Sequence, residues 1–127
     1  MLNADLSTRE YDGHIVVALR GELDLADAAS AAAALTAVAA RMPEIILDLT
    51  ALTFIDSSGV AALAHGRRQA RRAGGNLVIA APQQQVRRVL AITRLADAFA
   101  VHASVDEAAN RTGHSPDADS PQAATAL

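Results

Sequence analysis

Three short apolar runs, Ile15-Val16-Val17-Ala18-Leu19, Ile45 to Leu49 and Leu77 to Ala81, punctuate this chain, and between them lie longer stretches with apolar residues at helical spacing. A run of about five aliphatic residues is the length of a strand, and one that is apolar at nearly every position is a strand buried on both faces. Strands alternating with helices leave few architectures open, and the class they indicate is α/β, a mixed sheet with helices packed against it. Ile45 to Leu49, broken only by Asp48 and preceded by a helix, is expected at the centre of that sheet.

The remaining elements follow from punctuation. Leu6 to Arg20 reads as two strands joined at the turn signal Asp12-Gly13. Asp24 to Met42 is alanine-rich, with Leu25, Leu35, Val38 and Met42 as its larger apolar residues, and it stops at Pro43. That pattern predicts a helix, with Asp24 and Asp27 well placed at its positive end. After Phe54-Ile55, the residues Val60, Leu63 and Ala64 recur at helical spacing until Gly74-Gly75. Pro82 closes the Leu77 strand, and Val86, Val89 and Leu90 supply the stripe of a third helix. Phe99 to Val101 is a weakly marked strand. Ser104 with Glu107 is a capping-box pattern introducing a short last helix that ends near Arg111. The expected order is β-β-α-β-α-β-α-β-α, a four- to five-stranded mixed sheet with about four packed helices in a single domain over residues 1–111. Residues 112–127 turn to Gly, Ser, Pro, Asp and Ala, a composition that cannot offset the entropy of ordering, and are expected to be a disordered tail.

The 127 residues suffice for one compact core and leave no room for a second catalytic domain. Of the 51% that are apolar many are alanine, so the core is thin and rests on Leu, Ile and Val, with Tyr11, Phe54 and Phe99 as the aromatics. A formal charge of −3 and this scarcity of stacking rings argue against direct binding of nucleic acid or anionic lipid. From Ser57 to Ala96 stand seven arginines and no acids, while the fourteen carboxylates all lie outside that stretch. Arg67, Arg68, Arg71 and Arg72 are expected to form a basic face, either solvated or docking a partner. The absence of cysteine excludes disulfides and thiolate chemistry. The four histidines lack metal-ligand spacing, and neither metal nor cofactor is expected. With no leader-like segment and no apolar run near the roughly 20 residues of a membrane span, a cytoplasmic location is expected.

Asp56-Ser57-Ser58-Gly59 sits where a strand gives way to a helix. Such a junction exposes the unpaired N–H groups of the first turn and the positive end of the helix dipole, which together accommodate an anion. A serine there is within reach of a kinase, and a phosphate on it is expected to have those N–H donors and the basic face of Arg67 to Arg72 nearby, while it adds nearly two negative charges to whatever surface it presents. The plain alternative is that Asp56 or Ser57 caps the helix, Ser58 is an ordinary first-turn residue and Gly59 permits close packing.

The longer string Asp48-Leu49-Thr50-Ala51-Leu52-Thr53-Phe54-Ile55-Asp56-Ser57-Ser58-Gly59-Val60 resembles the signature of the STAS family of anti-sigma factor antagonists. In that signature an apolar strand is followed by Asp-Leu-Ser/Thr, a spacer, an apolar pair, and Asp-Ser-Ser-Gly with a branched aliphatic residue. Gly21-Glu22-Leu23-Asp24 and Val86-Arg87-Arg88-Val89-Leu90 extend the resemblance, which covers Leu6 to Arg111. It implies phosphorylation at Ser57 and a contact surface of Asp24, Asp56, Ser57, Ser58 and Gly59. It implies, too, a partner that is an anti-sigma factor, a serine kinase of histidine-kinase-like fold, with a serine phosphatase to reset the switch. A non-switching STAS scaffold, or a subunit of a multiprotein or transport complex, is the alternative. Weak self-association is open, because a thin core can leave an apolar patch to pair with a copy.

Enzymatic catalysis is not expected. Ser57, Asp56 and His65 suggest a hydrolase triad only on paper, since His65 lies eight residues along the helix, about 12 Å of rise from Ser57. No Gly-x-Ser-x-Gly elbow is present, and Gly74-Gly75 matches no phosphate-binding loop.

Overall fold

The computed structural model describes residues 4–93 and 99–111; the expected tail over 112–127 lies outside them. Strands β1 (Ala4–Tyr11) and β2 (His14–Leu23) form the expected hairpin. Asp12 and Gly13 both adopt positive φ, 53° and 82°, the two-residue turn whose twist matches that of paired strands. Then follow α1 (Leu25–Arg41), β3 (Glu44–Asp48), β4 (Leu52–Ile55), α2 (Ser57–Arg72), β5 (Asn76–Ala80), α3 (Gln84–Ile92), β6 (Val101–His102) and α4 (Val105–Arg111).

The sheet has six strands in the order β1-β2-β3-β5-β6, with β4 paired to β2 off that path. Apart from the β1–β2 hairpin every pairing is parallel. β3 is central as expected, flanked by β2 and β5, and Ile45, Ile46 and Leu47 are at most 1% exposed. Alternation along the strands sorts the core into two faces. Ile15, Val17, Leu19, Ile45, Leu47, Leu77 and Ile79 meet Leu35 of α1, Leu63 of α2, and Val86 and Leu90 of α3. On the other face Val16, Ile46, Val78 and Ala80 meet Ala108 and Ala109 of α4. Each fully buried Leu or Ile contributes roughly 1.5–3 kcal/mol, so the three-helix face carries most of the stability.

The strand that was not expected is β4. It has four residues with the burial sequence buried, exposed, exposed, buried, which shows neither period-2 alternation nor an apolar run. It exists because β2 is long enough for two neighbours on one edge: Ile15 to Ala18 pair with β3, and Gly21 to Leu23 pair with β4 across a bulge at Gly21/Glu22. The step from β3 to β4 is held by Asp48, whose Oδ1 accepts from the Thr50 N–H (3.0 Å) and the Thr50 hydroxyl (2.6 Å). The Gly21 N–H, on a backbone with φ of 90°, donates to Ala51 O at 3.0 Å, and the Thr53 hydroxyl donates to Gly21 O at 3.0 Å. Asp48-Leu49-Thr50 is thus the device that offsets β4 and delivers Ile55 beside Leu23.

Phe99 to Val101 is only partly extended. β6 is Val101–His102, whereas Phe99 turns inward at 6% exposure and Ala100 O accepts from the Ile79 N–H at 2.9 Å.

Candidate functional site

Parallel strands β2 and β4 end side by side at Leu23 and Ile55, and each is followed by an aspartate that opens a helix. Asp24 is the N-cap of α1, its Oδ1 accepting from the Ala26 N–H at 3.0 Å. Asp56 is the N-cap of α2, its Oδ1 accepting from the Gly59 N–H at 2.9 Å. The two starts are joined, because Asp56 Oδ2 accepts from the Leu25 N–H at 3.3 Å. Two helix dipoles therefore point their positive ends at one small surface, and each already has a carboxylate on it.

Ser57, the first residue of α2, is exposed on that surface, and Ser58 is half-buried. The N–H groups of Ser57 and Ser58 have no hydrogen-bond partner among the described residues, which leaves two donors for an anion. Around them stand large apolar side chains in water. Leu25 is 75% exposed and Phe54 47% exposed, although the sequence counts Leu25 among the larger apolar residues of its helix and Phe54 among the aromatics available to the core. The signal for Leu25 was available: an aspartate cap at Asp24 places the next residue at the helix start, before the buried stripe of Ala31, Leu35 and Val38 begins.

Two expectations need correction. Gly59 was counted with the contact residues, but it is buried under the end of β2. A Cβ there would stand 2.6 Å from both Ile55 Cγ1 and Leu23 O, so its hydrogen is what lets α2 start against that strand. Arg67, Arg68, Arg71 and Arg72 were placed near a phosphate on Ser57. They occupy the last turns of α2, and Arg67, the nearest, is about 15 Å along the axis from Ser57, beyond the reach of a guanidinium. Arg68, Arg71 and Arg72 are exposed, and Arg67 is half-buried. Burial and the neighbouring Arg71 charge both push the Arg67 guanidinium below its usual range. His65 is a half-buried bridge between helices, its Nε2 sharing a 3.1 Å hydrogen bond with the Thr36 hydroxyl of α1.

The far side of the site is framed by α3. Gln83 Nε2 donates to Thr50 O at 2.8 Å, and Gln85 Nε2 donates to Thr53 O at 3.2 Å, so two amides tie the start of α3 to the loop and strand that lead into Asp56. Nothing in the sequence pattern marked these glutamines. No three acidic or histidine side chains gather as metal ligands among the described residues, and no helix there is long and apolar enough to cross a membrane.

Fold and site together define a class: a small mixed-sheet domain that presents a serine at the start of a helix, on a surface with open N–H donors and exposed apolar side chains. The model of the STAS domain family matches residues 5–108, and the chain belongs to that family. The anti-sigma-F factor antagonist RsfA of Mycobacterium tuberculosis is 29% identical over 112 residues, 82% of this chain and 84% of RsfA. The crystal structure of an anti-sigma factor antagonist from Mycobacterium paratuberculosis superposes with a TM-score of 0.74 at 28% identity, covering 83% of this chain and 90% of that one. The Bacillus cell fate determinant SpoIIAA, solved in its phosphorylated form, has the same fold, with a TM-score of 0.64 at 24% identity over 84% of this chain and 98% of SpoIIAA.

Proposed function

We propose that this chain is an anti-sigma factor antagonist that regulates transcription by partner switching. Unphosphorylated, it binds an anti-sigma factor and so frees the sigma factor which that protein holds; phosphorylated on Ser57, it is released. The observation that carries this reading is the exposed Ser57 at the joined starts of α1 and α2. The names of the similar proteins from two mycobacteria support it.

The chemistry required of the chain is modest. A kinase partner supplies ATP; the Ser57 oxygen bonds to the γ-phosphorus as the bond to the departing ADP breaks, and the serine proton passes to a base of the kinase. Both Asp56 oxygens already accept backbone hydrogen bonds, so this carboxylate is poorly placed to take that proton. The phosphate gains the open N–H groups of Ser57 and Ser58 but lies beside Asp24 and Asp56, with no arginine of α2 in reach. It changes the docking surface from apolar and weakly charged to strongly anionic, which expels a partner seated on Leu25 and Phe54.

The test is phosphate incorporation with mass-spectrometric site mapping, after the chain and ATP are mixed with kinase-like anti-sigma factors from the same genome. A single phosphate on Ser57 that disappears in Ser57→Ala is the expected result, with Ser57→Ala still binding the kinase and Ser57→Asp binding more weakly. Equal binding by both variants, with no phosphate transferred by any candidate, would transfer the reading to a STAS scaffold that does not switch.

A further inference from the structure

We propose that Asp56 is a positioning residue which makes the start of α1 part of the switch, so that a phosphate on Ser57 is read at Leu25 as well as at Ser57 itself. This rests on the reading of Ser57 as the phosphorylated residue. Each polar group of Asp56 goes to a different place. Its N–H donates to Leu23 O at the end of β2 (3.2 Å), and its carbonyl accepts from Val60 in α2 (3.0 Å). Oδ1 accepts from the Gly59 N–H (2.9 Å), and Oδ2 accepts from the Leu25 N–H (3.3 Å). Only the last reaches α1, and it is the longest of the four.

Leu25 is the first residue of α1 and among the most exposed large apolar side chains described. Its side chain has little packing to hold it, so its place on the docking surface depends on its own backbone. One anchor of that backbone is the carboxylate next to Ser57. A phosphate on Ser57 sets a dianion beside Asp56, repels its carboxylate and competes for the same N–H donors at the two helix starts. The Gly59 bond lies within the rigid first turn of α2, whereas the Leu25 bond crosses to another helix and is the weaker link. Release of Leu25 frays the first turn of α1, and one modification thereby alters both halves of the surface.

Asp56→Asn separates the two duties. An asparagine keeps one oxygen for the Gly59 N–H, but its NH2 group cannot accept from Leu25. Amide hydrogen exchange on the free, full-length chain is the first measurement, because it needs no partner. In Asp56→Asn the Leu25 amide is expected to exchange about fivefold faster or more, with Gly59 within about twofold of wild type, and Ser57→Asp to move Leu25 in the same direction. An unchanged Leu25 amide, or Leu25 and Gly59 accelerated together, overturns the proposal, since the latter is what loss of a simple helix cap gives. With a kinase partner identified, Asp56→Asn is expected to raise KM for the chain about fivefold with kcat within about twofold, because Ser57 is still presented and only the α1 side of the surface is lost. A fall in kcat at constant KM overturns it. Should Ser57 never be phosphorylated, the exchange result still stands or falls by itself, so failure of this link and failure of the proposed function are told apart.

Discussion

The starts of α2 and α4 obey one local rule and come to different ends. Each opens with a side chain that accepts from the N–H three residues on, Asp56 from Gly59 at 2.9 Å and Ser104 from Glu107 at 3.0 Å. The cap bonds at Ser104 stay among neighbours: Glu107 reaches back to the Ala103 N–H at 2.6 Å, one residue before the position an ordinary capping box would use, and the long-range bond of that turn, from the Tyr11 hydroxyl, goes to Asp106 and not to the cap. Around Asp56 the bonds reach Leu23 and Leu25, more than thirty residues away, and Gly59 is pressed against the end of β2. A cap bonded to its own neighbours ends a helix tidily. A cap bonded across strands and helices fixes a surface, and that is where the serine stands.

Substitution should expose this contrast most sharply at Gly59. Gly59→Ala places a methyl 2.6 Å from a backbone oxygen, Leu23 O, which cannot rotate away. Overpacking of this kind costs roughly 1–3 kcal/mol or more, and better helix propensity returns up to about 1 kcal/mol, so a net loss of about 2 kcal/mol is expected. Thermal unfolding should show it as a Tm lower by roughly 10 °C. A Tm equal to or above that of wild type would mean that α2 is not seated against β2 as described. At the other helix, Ser104→Ala should cost about 1 kcal/mol or less, because the cap is exposed and its partners are local. Equal losses at both positions, read from denaturant midpoints, would erase the distinction between the two starts.

Legibility in the sequence followed the same division. Whatever depended on neighbours in the chain was readable: the Asp12-Gly13 turn, the central strand at Ile45 to Leu47, the alanine-rich helix ending before Pro43, and the helix opened by Ser57. What depended on distant partners was not. Strand β4 has no periodicity of its own and forms because β2 has an unfilled edge beyond Ala18. Gly59 offers the sequence only a small residue in a first turn, and its burial comes from Leu23, thirty-six positions earlier. Arg67 to Arg72 were readable as a basic stripe, but their distance from Ser57 follows from the rise of the helix that carries both.

The smallest expected effect concerns pH at the α4 end. Burial lowers the pKa of the His102 imidazole from its ordinary 6.5; the Glu107 carboxylate opposes that shift and Arg111 adds to it. His102 Nε2 is buried without a hydrogen-bond partner, a setting that favours the neutral ring. Below 6.5 the unfolded chain takes up a proton that the folded chain resists, so protons favour unfolding in that window. The His102 contribution is therefore complete above 6.5 and diminishes as pH falls toward the lowered folded value. Urea midpoints compared between about pH 5 and pH 7.5 should fall more steeply with acid for wild type than for His102→Gln, which cannot titrate. Glu107→Gln, which keeps an acceptor for the Ala103 N–H but loses the charge that opposes burial, should steepen the slope. Parallel slopes for all three chains would show that His102 titrates in the folded chain as it does in the unfolded one, and burial at the α4 end would then carry no protonation cost.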